Sequence, residues 1–143
     1  MQHAERWVVL GLILAALAVS ACQDTSEEAA ASKGEPAKVE PIEGTDLNRI
    51  ILTAEAAKRL DIQTASVRDA EGKTVIPYSA VVYEPDGETW TYTSPEPLTF
   101  VRHSITIDRI AGDQAFLSDG PQPGTTVVTV GAAELYGTEL GVE

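Results

Sequence analysis

The chain has 143 residues, a net charge of −12, one cysteine and two histidines. One cysteine excludes an intrachain disulfide, and one cysteine with two histidines is too small a set for a Cys/His zinc site. Ten basic residues against 22 acidic ones leave no material for a phosphate-binding face, so neither nucleic acid nor the heads of anionic lipids are expected partners of the surface.

The first element in chain order is an export signal. Met1 to Arg6 is a short, weakly charged start, and Trp7 to Val19 carries no charge at all. That run is shorter than the roughly 20 apolar residues a spanning helix needs, so residues 1–21 read as a cleaved signal. Leu17-Ala18-Val19-Ser20-Ala21-Cys22 closes it and resembles a bacterial lipoprotein signal, in which the cysteine is acylated and becomes the new N-terminus. The expectation is lipidation at Cys22 and an extracytoplasmic position on the cell membrane, periplasmic if the cell has an outer membrane. The competing reading is a cleaved secretory signal with an incidental cysteine. Acylation would also remove an exposed thiol from an oxidising compartment.

Residues 22–46 follow as a disordered acidic linker. Gln23 to Asp46 has seven acidic residues against two basic ones and few large apolar side chains beyond Val39 and Ile42. Such a segment cannot bury enough surface to offset chain entropy.

Residues 47–143 read as one small, mainly β domain with one short helix. Asn48 to Leu52 is a strand. Thr53 is an N-cap for a helix over Ala54 to Leu60, with Glu55 early and Lys58 and Arg59 late, as the helix dipole favours. Ile62 to Val67 returns as a strand, and Asp69 to Gly72 is a turn. Alternation predicts one long strand over Thr74 to Glu84, then a hairpin at Pro85-Asp86-Gly87. The return strand, Glu88 to Thr93, places Trp90 and Tyr92 on one face and Thr89, Thr91 and Thr93 on the other. Ser94 to Pro97 breaks it. A further long strand is expected over Leu98 to Ile110, and a shorter one over Gln114 to Leu117. Thr125 to Val130 is apolar on both sides and reads as central. Ala132 to Tyr136 makes one helical turn, and Gly137 to Glu143 is a loose tail.

Catalytic constellations are poorly supplied. His103 lies on a strand face, no nucleophile turn accompanies it, and the carboxylates of Asp86, Asp108, Asp113 and Asp119 fall at turns, where Asp supports the turn itself. No enzyme activity, cofactor or metal is expected. Trp90 and Tyr92 suit core packing beneath the hairpin, or alternatively a groove for a small ligand.

Val75 to Tyr83, Asp86-Gly87 and Thr89-Trp90-Thr91-Tyr92 resemble the strand pair opening the membrane-proximal region of periplasmic adaptor subunits of RND-type efflux pumps, the HlyD-like membrane fusion proteins. Phe100-Val101-Arg102, Ile105-Thr106-Ile107, Gly112-Asp113, Leu117 to Gly120 and Pro123 to Ala132 are similar to its later strands. Ile51 to Ala65 looks like the family's entry into the same domain. In that family a lipoyl-like domain, an α-helical hairpin and a β-barrel separate the two segments, whereas here only Arg68 to Lys73 lies between them. The resemblance implies a β-roll or barrel-like membrane-proximal domain alone. It implies an accessory that docks on an inner-membrane transporter. The alternation of the return strand makes Thr89, Thr91 and Thr93 the expected exposed face for that docking. A homo-oligomer is compatible with it. A small ligand-binding envelope lipoprotein using Trp90 and Tyr92 is the alternative.

Overall fold

The computed structural model describes residues 35–141. The signal peptide, Cys22 and the first part of the linker lie outside the described residues. The domain is mainly β, as expected, but it begins earlier than the composition suggests. β1 (Ala37–Pro41) pairs antiparallel with β2 (Asn48–Leu52), Val39 opposite Ile50. The part of the linker from Glu35 onward is therefore ordered. Its backbone finds ladder partners on β2, which a count of apolar side chains does not register.

Thr53 caps α1 (Ala54–Arg59), its hydroxyl accepting from the Ala56 N–H at 3.1 Å. β3 (Gln63–Ser66), β4 (Arg68–Ala70) and β5 (Lys73–Pro77) follow. The long strand expected over Thr74 to Glu84 is then interrupted. Tyr78–Ala80 is one 3₁₀ turn, and the chain resumes as β6 (Val82–Tyr83) in a different sheet. β7 (Thr89–Glu96) and β8 (Thr99–Ser104) form the next hairpin, β7 running through Ser94 and Pro95 with a register irregularity rather than stopping there. The second long strand also divides, at Ile105, into β8 and β9 (Thr106–Ala111). β10 (Gln114–Asp119), β11 (Thr126–Val130) and α2 (Ala132–Glu139) complete the chain.

Two antiparallel sheets result. One has the order β1-β2-β8-β7-β11-β3, with β6 added to β7; the other is β4-β5-β10-β9. Three of the crossings between sheets carry a buried apolar residue: Val67, Ala80 and Ile105. All three belong to one core cluster with Ile76, Ala115, Leu117 and Val127, between the sheets. The second cluster packs α1 and α2 on the first sheet through Ile50, Leu52, Ala56, Tyr92, Phe100, Val128, Ala132 and Leu135. Neighbouring Val127 and Val128 enter different clusters because successive strand residues face opposite ways. β11 is thus buried on both faces, as its sequence predicts, with helices on one side and the second sheet on the other.

The crossings explain why both long segments read as continuous strands in the sequence. A strand that leaves one sheet for the next keeps alternating, because the inward residues stay inward through the corner. At Tyr78–Ala80 the switch is held by the Tyr78 N–H donating to Asp113 O at 2.8 Å, and at Ile105 by its N–H donating to Thr89 O at 3.0 Å.

Candidate functional site

The β6–β7 hairpin organises the site. Its turn forms as the residues predict: Gly87 takes φ 93°, and Asp86 Oδ1 accepts from the Glu88 N–H at 3.0 Å. On the strand entering it, Glu84 turns inward and Tyr83 outward. Glu84 pairs with Arg102 on β8, and both side chains are largely buried. Arg102 Nε also lies 3.2 and 3.0 Å from the two oxygens of Glu139, whose side chain is 1% exposed. The Tyr92 hydroxyl donates to the same carboxylate at 2.7 Å. Burial, then the bond to Glu139 and its charge, push the Tyr92 phenol well above the usual tyrosine range.

The Arg102 guanidinium completes its surroundings with two aromatic faces, 4.7 Å from the centre of Trp90 and 5.8 Å from that of Tyr136. One cation thereby joins the hairpin, β7, β8 and α2. The expected loose tail is corrected here. Gly137 to Glu139 is helical, and Glu139 is among the most deeply placed charges of the domain. Composition gave no sign of this, since a glutamate near a chain end looks solvated until a buried arginine is found facing it.

Outside this lock stands an exposed aromatic pair. Tyr83 is 53% exposed and Tyr78 40%. Their rings meet edge to face, centroids 6.5 Å apart at 70°, and the Tyr83 hydroxyl donates to that of Tyr78 at 3.4 Å. Tyr83 divides two open grooves. One, of about 430 Å³, runs past Val81, Val82, Thr129, Ala133 and Tyr136. The other, of about 540 Å³, runs past Thr89, Ile105, Ile107 and Ile110.

The threonine face is not the exposed docking surface expected. Thr91 is fully buried, while Thr89 and Thr93 are half-buried and spend their hydroxyls on the carbonyls of Ile105 (2.7 Å) and Val101 (3.1 Å). Thr93 pairs with Val127, so this face looks toward the second sheet. A row of threonines is polar enough to read as a solvent face, but here its polar atoms serve the sheet's own backbone. Only Thr89 reaches an open groove. The Trp90/Tyr92 ligand face is corrected as well. Tyr92 is fully buried in the core, and Trp90 lies under Arg102 and lines neither groove.

His103 is exposed at the end of β8, opposite Thr91. Among the described residues, Glu84, Asp86 and Glu88 bring carboxylate oxygens within 4.8 Å of one another, but Glu84 is held by Arg102 and Asp86 by the turn. No helix among the described residues is long and apolar enough to cross a membrane. Comparison with protein-family models, with curated proteins and with solved structures returned no match to this chain.

Proposed function

We propose that this protein is a lipid-anchored, extracytoplasmic docking accessory of a membrane transporter, that it works without turnover, and that it binds its partner through the Tyr78–Tyr83 ridge. The observation that carries the reading is the exposed, mutually packed tyrosine pair, whose Tyr83 borders two grooves and stands on a hairpin locked by Arg102. Tyrosine supplies a large contact area with little side-chain entropy to lose, which is why it concentrates at the centres of interfaces. The lock keeps the ridge in one place before a partner arrives, and that preorganisation reduces the ordering cost of binding. The resemblance of these strands to an adaptor's membrane-proximal region supplies the class of partner, and the Cys22 signal supplies the anchor.

The test is capture of a transporter from membranes by the lipidated protein. Tyr83→Ser and Tyr78→Ser should each weaken capture while the circular dichroism spectrum and thermal midpoint stay close to the parent, because both side chains are exposed. His103→Ala should capture normally and leave transport-linked resistance or export intact. Undiminished capture by the Tyr78→Ser/Tyr83→Ser double variant would remove the ridge from the account. Loss of activity in His103→Ala with fold and capture preserved would replace docking by a catalytic or ligand-binding role.

A further inference from the structure

β9 ends the second sheet, pairing with β10 on one side and with nothing among the described residues on the other. An unpaired edge is a template for another strand, and folded proteins blunt most such edges. The other sheet ends here are blunted: β1 follows Pro36 and closes on Pro41, β4 has three residues and β3 four. β9 has six residues and no proline.

Its sequence, Thr106-Ile107-Asp108-Arg109-Ile110-Ala111, complements itself when reversed. We propose that two copies of this chain pair through β9, antiparallel, about a two-fold axis between Asp108 and Arg109. Asp108 then faces Arg109 of the second copy, Ile107 faces Ile110, and Thr106 faces Ala111, each pair occurring twice as a two-fold interface requires.

The faces agree with that register. A bulge in β9 sets Ile107 opposite Leu117, Arg109 opposite Phe116 and Ile110 opposite Ala115. Ile107 and Ile110 therefore share the inner face with Leu117 and Ala115, and Ile110 is left 47% exposed. Arg109 occupies the outer face, where its guanidinium lies 3.5 Å from the centre of the Phe116 ring. On that face Lys73 pairs with Asp108 at 3.6 Å and Glu71 pairs with Arg109. Joining two copies would extend these into rows of alternating sign, Lys73, Asp108, then Arg109 and Glu71 of the second copy. Like charges meet nowhere in this register, whereas a shift of one residue would place Arg109 against itself. The pairing borders the groove that Tyr83 shares with Ile107 and Ile110, but it does not depend on the docking reading.

Charge exchange tests the register on the full chain in mild detergent, by sedimentation velocity. The parent should show a concentration-dependent dimer. Asp108→Arg or Arg109→Asp alone puts like charges opposite each other twice, and each should weaken the dimer by about tenfold or more. The double variant, Asp108→Arg with Arg109→Asp, restores both cross-pairs and should recover most of the dimer, although it sets Lys73 and Glu71 beside like charges within each copy. Circular dichroism checks that each variant is folded. A covalent readout accompanies this: Thr106→Cys with Ala111→Cys should form an interchain disulfide on mild oxidation, and neither single variant should. Five residues of strand separate the two positions by roughly 15 Å, too far for a bridge within one chain. A parent that stays monomeric and a double-cysteine variant that fails to cross-link would overturn the pairing. A dimer equally strong in all charge variants would overturn the register.

Discussion

Glu139→Ala is the most informative single change, because it removes one group on which three elements converge. The carboxylate accepts from Tyr92 at 2.7 Å and from Arg102 Nε. Without it, Arg102 keeps only Glu84, and the Tyr92 hydroxyl loses its acceptor inside the core. Breaking a buried pair by removing one partner costs about 3–5 kcal/mol, and the lower end applies because Glu84 still balances the guanidinium. The orphaned hydroxyl adds about 1 kcal/mol. The sum, about 4 kcal/mol, is a large share of a typical stability of about 5–15 kcal/mol. At roughly 4 °C per kcal/mol for a unit of this size, the thermal midpoint should fall by about 15 °C. The protein should still fold, since Leu135 anchors α2 in the first core cluster. Glu139→Gln keeps an acceptor for Tyr92 and should lose about half as much. Circular dichroism melts of the parent, both variants and Tyr92→Phe measure this, and Tyr92→Phe should cost less in the Glu139→Ala background than alone. A midpoint within about 2 °C of the parent for Glu139→Ala would refute the claim that this carboxylate pins α2 to the sheet.

Thr91→Val should raise stability by about 1 kcal/mol, read as a higher melting midpoint, because the buried Thr91 hydroxyl has no hydrogen-bond partner and valine has nearly its shape. Gly131→Ala should lower the midpoint clearly: Gly131 sits at φ 89° as the N-cap of α2, a conformation that strains any side chain, and an added Cβ would press on Ile62 and lie 3.4 Å from Leu60 O. Because the Tyr92 phenol is held protonated in the folded state, the unfolded chain releases its proton first as pH rises. Stability should therefore be intact below about pH 10 and decline above it, and Tyr92→Phe should flatten that decline in melts across alkaline pH. Cys22→Ser should release the protein from the membrane fraction and abolish labelling by fatty acid; full retention together with an unlabelled parent would exclude the lipoprotein reading.

Elements with local causes were legible in the sequence. Thr53 and the charges after it specify α1, Pro85-Asp86-Gly87 specifies the hairpin, and apolar residues on both faces of Thr125 to Val130 mark β11 as central. Each depends on neighbours a few residues away, so the chain's order suffices to find it. What the sequence left open was which face meets which. Thr91 looks solvated until the second sheet covers it. The two long alternating runs look like single strands until Tyr78–Ala80 and Ile105 carry them from one sheet to the other. Ala37–Pro41 looks like linker until β2 supplies its ladder partners. Glu139 looks like a frayed end until Arg102, held between Trp90 and Tyr136, gives it a counter-charge out of water. Sequence determined the Thr53 cap, the Pro85–Gly87 turn and the acidic character of the chain. Tertiary structure alone decided the partners of Arg102 and the outward position of Tyr83, because pairing between sheets depends on contacts tens of residues apart.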